Sequence, residues 1–267
     1  MTGPWRVGDG SAAILAAQLI DLLGGVVAMR TIMVLNAKGG CGKSTLATNI
    51  AGYFAHAWDG VFGLIDFDPQ GSSMDWLARR PGHLPPIRGY NGHRDGIDCV
   101  SPDVELLVID PPARCHGLEL ERMVGYAETF IMPVQPSPID IAAATKYVKE
   151  LHDVHRVKNK EVKIAVVANR VRENLLIWNT LEKFLDGLKI PFVTRLRDAQ
   201  NYIRAYDRGM GVHELPPYLA RDDVAQWEPL VKWLESKQSV PAKKKMSQQS
   251  LLTHPVEAAA AELANLP

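Results

Sequence analysis

The sequence predicts an α/β fold with a doubly wound, mostly parallel sheet and helices on both of its faces. Short apolar runs, typical of buried parallel strands, alternate with helical segments, and the predicted strands are residues 31–35, 61–66, 105–110, 129–134, 162–169 and 192–196. Polar side chains stand at or just after the end of each run. Because parallel strands end at one edge of a sheet, we expect the functional site at that edge.

Between the strands, the sequence predicts helices from residue 43 to about 58, from about 141, over 174–188 and over 222–234. The stretch 79–99 is rich in Gly, Pro, Arg and His and has no period, so we expect a surface excursion there. The three histidines in and near it, His83, His93 and His116, do not have the spacing of a metal site.

Length and composition indicate one domain with an extension at each end. The 267 residues are 46% hydrophobic, enough for one large core. We expect that core within residues 29–236, a helical or dispensable extension over 1–28, and a flexible tail over 237–267. Residues 12–28 are apolar but too short and too interrupted to span a bilayer, and we do not expect them to be a signal peptide. Three widely spaced cysteines fit a reducing cytosol.

A glycine-rich loop follows the first strand and leads into the first helix, and its residues are Lys38, Gly39, Gly40, Cys41, Gly42, Lys43, Ser44 and Thr45. The glycines allow a tight turn whose N–H groups converge, and the helix adds its positive end, so the loop predicts a phosphate site. Lys43 would reach the β- and γ-phosphates, Ser44 would ligate Mg²⁺, and Thr45 would add a donor near the α-phosphate.

The lysine before the glycines, Lys38, is not required in an ordinary nucleotide loop. The sequence Lys-Gly-Gly-Cys-Gly-Lys-Ser-Thr resembles the deviant Walker A motif of the ParA/MinD superfamily. That resemblance implies a P-loop ATPase that uses ATP and Mg²⁺. It also implies a homodimer formed on ATP binding, in which Lys38 reaches the nucleotide of the partner subunit.

Two acids, Asp66 and Asp68, come at the end of the second predicted strand. Side chains two residues apart point the same way in extended backbone, so both can face the γ-phosphate and Mg²⁺. A helix N-cap is the alternative role for Asp68. The resemblance implies that Asp68 orients the attacking water and that Asp66 holds metal-bound water. Asp110, before Pro111, resembles the Walker B acid that grips Mg²⁺ through water.

Two further site residues follow from the resemblance and from the loop. In the superfamily an Asn at the end of the predicted strand 162–169 reads the adenine ring, which gives this role to Asn169. The turn 135–140, Gln-Pro-Ser-Pro-Ile-Asp, resembles the proline-rich turn at the dimer face of small ParA-type proteins. Cys41 departs from the family pattern, and because it lies in an electropositive loop we hypothesise that it is a reactive thiol.

A basic cluster is the candidate DNA-binding surface. The chain as a whole has a formal net charge of zero, so DNA affinity requires a local cluster. Residues 189–208 carry five cations against Asp198 and Asp207, namely Lys189, Arg195, Arg197, Arg204 and Arg208. In ParA-like ATPases the matching region grips the phosphates of nonspecific DNA. The alternative is a solvated surface with ion pairs.

The order of these motifs is similar to that of the short ParA-type ATPases without an N-terminal helix-turn-helix domain. The resemblance implies a slow ATPase, cytoplasmic and nucleoid-associated, that a small partner protein stimulates. Its cargo would be a plasmid, a chromosome region, a chemoreceptor array or a microcompartment. The alternative is a MinD-like regulator recruited to membranes. The tail has no Lys or Arg after Lys245 and no bulky apolar face, so we expect no stable membrane association.

Overall fold

The computed structural model describes residues 29–172, 181, 184, 187 and 190–242. Seven strands form one sheet in which every pair is parallel, in the order β3-β2-β4-β1-β5-β6-β7. The strands are β1 (Arg30–Val34), β2 (Phe62–Asp66), β3 (Arg88–Asn91), β4 (Leu106–Asp110), β5 (Thr129–Val134), β6 (Lys163–Val171) and β7 (Phe192–Arg197). The predicted α/β class with a parallel sheet is confirmed.

Helices connect the strands on both faces of the sheet. They are α1 (Lys43–Ala57), α2 (Ser72–Ala78), α3 (Gly92–Asp95), α4 (Gly117–Tyr126), α5 (Pro138–Asp153), α6 (His155–Lys158), α7 (Gln200–Asp207) and α8 (Pro217–Glu235). Short 3₁₀ turns lie at Ile97–Cys99, Val212–Glu214 and Lys237–Ser239.

The core consists of two apolar layers separated by the sheet. One layer holds Met33 of β1 together with apolar residues of α4 and α5. The other holds its neighbour Ile32 together with apolar residues of α1 and α8. Successive strand residues point to opposite faces, which is why strands buried on both sides read as continuous apolar runs.

The strand register brings the acidic strand ends together. Asp66 ends β2, Asp110 ends β4, and the two residues are directly paired across the sheet. β1 is the other neighbour of β4, and the glycine-rich loop leaves from its end. The carboxyl edge of the adjacent strands β2, β4 and β1 therefore holds the loop and both acids, as the strand-end argument predicted.

The structure corrects three element predictions. The stretch 79–99, expected to be irregular, contains β3 and α3; β3 pairs only with β2 and is mostly exposed, so its sequence Arg-Gly-Tyr-Asn lacks an apolar run. α5 begins at Pro138 rather than near 141, because the Ser137 side chain accepts a hydrogen bond from the Asp140 N–H and proline suits the first helical position. α8 begins at Pro217, five residues before the predicted start at 222.

The folded part also extends beyond residue 236, where the tail was expected to begin. Ser239 is buried, its carbonyl oxygen accepts a 2.6 Å hydrogen bond from Thr129 Oγ1, and its hydroxyl accepts one of 2.7 Å from Arg30. The predictions for residues 1–28, for Lys189, for most of the helix 174–188 and for the tail from 243 lie outside the described residues.

Candidate functional site

The glycine-rich loop is held in shape by its neighbours. Gly40 and Gly42 adopt left-handed backbone, with φ of 75° and 97°, and Gly42 is the N-cap of α1. The Gln135 side chain donates a 2.9 Å hydrogen bond to the Gly40 carbonyl, and Asn169 Nδ2 donates one of 2.8 Å to the Cys41 carbonyl. These two side chains, from outside the loop, bind two of its carbonyl groups. The loop is thereby fixed in a shape that can direct its N–H groups at an anion.

The two lysines of the loop have different environments. Lys43 is buried, and its Nζ lies 3.5 Å from the Lys38 carbonyl oxygen. Lys38 is partly exposed, and its Nζ lies 2.7 Å from Asp140 Oδ2 in the first turn of α5. Lys43 thus belongs to the interior of the phosphate site, whereas Lys38 is held at the surface by an acid of its own chain.

Asp66 and Asp110 form a buried acidic pair bridged by a serine. Asp66 accepts hydrogen bonds of 2.9 Å from the backbone N–H groups of Asp68 and Ser73. Ser73 Oγ donates to Asp110 Oδ2 at 2.6 Å, while the other oxygen, Asp110 Oδ1, is buried without a partner among the described residues. Burial and the charge of Asp66 raise the pKa of Asp110 to about 7.

This arrangement fits a divalent cation. Mg²⁺ prefers oxygen ligands, and an orphaned buried carboxylate oxygen is a site that a cation would satisfy. The Ser44 side chain acts against the rise in the pKa of Asp110, so it lies close to that carboxylate. Ser44 and Asp110 would hold the ion, and Asp66, whose oxygens are engaged by backbone donors, would act through water. No group of three His, Cys, Asp or Glu side chains forms a metal site within the described residues.

Asp68 does not cap a helix, so the alternative prediction of a helix N-cap at this residue is wrong. α2 begins at Ser72 and its N-cap is Gly71. Asp68 Oδ1 accepts a 2.9 Å hydrogen bond from the N–H of Gln70, and Oδ2 accepts one of 3.2 Å from the N–H of Ala113. The carboxylate is therefore fixed in place between the loops that follow β2 and β4, at the edge where the phosphate loop lies.

The reactive-thiol hypothesis for Cys41 is contradicted. The side chain is 1% exposed, and burial raises the pKa of the thiol although the charge of Lys43 acts in the opposite direction. A thiolate is the reactive form, so a thiol with a raised pKa inside the protein is inert. Cys41 contributes to the loop through its carbonyl, which binds Asn169.

A cleft of about 1010 Å³ opens beside the loop toward α7. Its wall includes Ser44, Thr45 and Asn169 on the loop side, and Tyr202 and Tyr206 on the α7 side. The size and mixed lining suit a nucleotide. The structure thus brings Asn169 to the same cavity as the helix-side residues of the phosphate loop.

Sequence reasoning did not identify three residues that shape the site, namely Ser73, Gln135 and Asp140. Ser73 has no motif that marks it before the strand ends are brought together, and Gln135 was named only as the first residue of the proline-rich turn. Asp140 was named only as part of the proline-rich turn, although its position three residues after Ser137 resembles a capping box. Its contact with Lys38 spans about a hundred residues and is visible only in the fold.

The predicted DNA-binding arginines lie on β7 and α7. Arg195 and Arg197 are two residues apart on β7, Arg204 lies in the last turn of α7, and Arg208 is the C-cap residue of that helix. Arg195, Arg204 and Arg208 are exposed. Arg197 binds Asp223 at 2.6 Å and approaches Asp222 at 3.5 Å, so its charge is largely neutralised within the chain.

Comparison with known proteins agrees with this site. Residues 32–212 match the family described as the CobQ/CobB/MinD/ParA nucleotide binding domain. The chain is similar to the maintenance of carboxysome distribution protein A of Halothiobacillus neapolitanus, with 30% identity over 193 residues, which cover 69% of this chain and 87% of that protein.

Solved structures of other proteins share the fold. The structure of apo McdA from Cyanothece has a TM-score of 0.62 at 14% identity and covers 77% of this chain and 99% of its own. A plasmid partition protein of Borrelia burgdorferi bound to AMPPNP has a TM-score of 0.60 at 15% identity, covering 76% and 99%. The family match spans more than half of the sequence, and the chain belongs to the ParA/MinD superfamily of P-loop nucleotide-binding proteins.

Proposed function

We propose that this chain is a ParA-type ATPase that forms an ATP-bound dimer, binds DNA nonspecifically and positions an intracellular cargo. The similarity to a carboxysome distribution protein favours a protein assembly as the cargo. The observation that carries the proposal is Lys38, an additional lysine at the mouth of a phosphate loop. It is 35% exposed at its side chain and is not needed to complete the pocket that Lys43 already serves.

In the proposed cycle Lys38 exchanges one anion for another. Without a partner it binds Asp140 of its own chain at 2.7 Å. When two ATP-loaded subunits meet face to face, Lys38 leaves Asp140 and contacts the terminal phosphate held by the other subunit. Loss of that phosphate on hydrolysis removes the contact, so Lys38 returns to Asp140 and the dimer separates.

Hydrolysis would be carried out by residues already fixed in place. Asp68, held by the N–H groups of Gln70 and Ala113, orients the attacking water, and Lys43 binds the phosphates from the loop. A bound Mg²⁺ would neutralise developing charge on the phosphate oxygens. A partner protein is expected to accelerate this slow hydrolysis step.

DNA binding is proposed for the exposed arginines of β7 and α7. Arg195, Arg204 and Arg208 are on the outside of the fold, and a guanidinium can donate two parallel hydrogen bonds to a phosphate. Arg197 forms an ion pair with Asp223, so we propose that it stabilises this surface and does not itself contact DNA. A single subunit offers few such contacts, so a dimer that doubles them is needed for useful affinity.

We propose a cytoplasmic, nucleoid-associated location. None of the helices in the described part of the chain is long and apolar enough to cross a membrane. A MinD-like, membrane-recruited regulator is the less favoured function, since the chain's relatives include a carboxysome distribution protein.

Sedimentation with DNA tests the proposal. The wild-type chain should pellet with DNA in the presence of ATP and Mg²⁺ but not without nucleotide, and should not pellet with anionic liposomes under either condition. Lys38→Ala should bind nucleotide normally yet neither dimerise nor bind DNA. Replacing Arg195, Arg204 and Arg208 together should abolish DNA binding and leave dimerisation intact. Binding of DNA without ATP, or ATP-dependent dimers of Lys38→Ala, would contradict the mechanism.

A further inference from the structure

Arg114 lies where the three loops of the phosphate edge meet. The backbone N–H of Ala113 donates to Asp68 Oδ2, and the backbone N–H of Arg114 donates to the Ala37 carbonyl at 3.0 Å. The loop after β4 is thereby bonded both to the loop after β2 and to the residue that precedes Lys38. The next residue, Cys115, is fully buried and anchors the turn in the core.

The backbone of Arg114 is in a conformation that arginine rarely adopts. Its φ is 63°, and among the described residues only Lys160 and Arg170 are other non-glycine residues with positive φ. Left-handed backbone disfavours a side chain with a Cβ, and such residues concentrate at functional sites. A glycine would fit this turn more easily, so the presence of arginine needs a reason other than folding.

The Arg114 side chain has no structural role that would supply that reason. It is exposed, and its guanidinium makes no hydrogen bond or ion pair with any residue that the structure describes. By contrast, Lys38 is engaged by Asp140. Three carboxylates, those of Asp66, Asp68 and Asp110, occupy the same edge and would repel a terminal phosphate. The backbone at Arg114 is bonded to the loops that hold this site, and its uncommitted guanidinium is the group there that would offset this repulsion.

We propose that Arg114 contacts the terminal phosphate of the nucleotide bound in its own subunit and makes the site favour a triphosphate over a diphosphate. The inference rests on the proposed nucleotide site, but it does not require dimerisation, DNA binding or hydrolysis. ADP lacks the phosphate that the guanidinium would meet, so Arg114 adds affinity only for ATP-like ligands. Lys43, inside the loop, would bind both nucleotides.

Calorimetric titration with Mg²⁺ and either AMPPNP or ADP tests this specificity. Arg114→Gly relieves the backbone strain and should therefore melt at the same or a higher temperature, so a loss of binding cannot be attributed to misfolding. The ratio of AMPPNP to ADP affinity should fall about tenfold, because a charge-assisted hydrogen bond is lost. Arg114→Lys keeps the charge without the planar fork and should give an intermediate ratio.

Lys160→Gly is the matched control. Lys160 has a φ of 58° and lies in the turn before β6, at the opposite edge of the sheet. It should gain as much thermal stability as Arg114→Gly with no change in the affinity ratio. Equal effects of Arg114→Gly on both nucleotides, or no effect, would overturn the proposal.

Repeating the titration in Lys38→Ala tests whether Arg114 contacts the nucleotide of its own subunit or that of a partner subunit. This variant should remain monomeric. The Arg114 effect should persist there; its disappearance would overturn the contact within one subunit. A wild-type chain that binds neither nucleotide would overturn both this inference and the proposed function, whereas nucleotide binding without dimers would refute only the latter.

Discussion

Replacing Asp140 with asparagine tests whether the ion pair with Lys38 opposes dimerisation. Nζ of Lys38 and Oδ2 of Asp140 lie 2.7 Å apart, and the two side chains are 35% and 8% exposed. Asparagine keeps an oxygen that can accept from the Ser137 hydroxyl, and its backbone N–H still donates to Ser137 Oγ at the start of α5, so the helix should be unaffected. Only the charge that holds Lys38 in its own subunit is removed.

The expected magnitude follows from the exposure of the pair. An ion pair open to water on one side is worth about 1 kcal/mol, because solvent screens it and Lys38 loses side-chain freedom when bound. A sandwich dimer breaks one such pair in each subunit, so Asp140→Asn should favour the dimer by about 2 kcal/mol. This corresponds to a dimer Kd about 30-fold lower.

Sedimentation velocity over a range of protein concentrations in saturating AMPPNP and Mg²⁺ measures this Kd. Asp153→Asn is the matched control, since it removes the same charge from the last turn of the same helix, where the pair with Lys158 is 3.5 Å long and more exposed. The control should leave the Kd unchanged. An Asp140→Asn dimer with the wild-type Kd, or a weaker one, would refute the argument that Asp140 restrains Lys38.

Two further predictions concern nucleotide binding and acid stability. Gly42→Ala should lower the free energy of unfolding by about 2 kcal/mol and remove most of the nucleotide affinity, because a Cβ would lie 2.2 Å from Asn169 Nδ2 and the φ of residue 42 is 97°. Thermal melting and nucleotide titration measure the two effects. Gly39→Ala is the control, since a Cβ at residue 39 would meet open space. Burial, together with the nearby His56, lowers the pKa of His213 to about 4. As pH falls below about 6.5 the unfolded chain binds a proton at this position before the folded chain does, so about 3 kcal/mol of stability should be lost between pH 6.5 and 4. Denaturant titrations of His213→Phe should show a smaller loss, and an unchanged pH profile would contradict the assignment.

The parts of the site that the sequence could predict are those fixed by local chemistry. The phosphate loop depends on a strand, a run of glycines and a helix start, all contiguous, and the structure has them in that order. Asp66 and Asp110 were predictable as neighbours because parallel strands end at one edge, and the register pairs them directly.

The parts that escaped prediction depend on contacts distant in sequence. The environment of Cys41 was inferred from the charge of its loop, but packing buries the thiol, and desolvation then outweighs the effect of Lys43 on its pKa. Likewise, Arg197 looked available among basic neighbours, whereas α8 places Asp223 2.6 Å from it. β3 was missed because an exposed edge strand has no need of apolar residues.

The hydrogen bond from Asn169 Nδ2 to the Cys41 carbonyl has a consequence for nucleotide specificity. It fixes the orientation of the amide, since only the nitrogen can donate, and the oxygen Oδ1 is not used by that bond. An oxygen accepts from the amino group of adenine, whereas guanine presents a carbonyl at the equivalent position and would meet it with repulsion. If Asn169 reads the base, the same side chain that shapes the phosphate loop also rejects GTP.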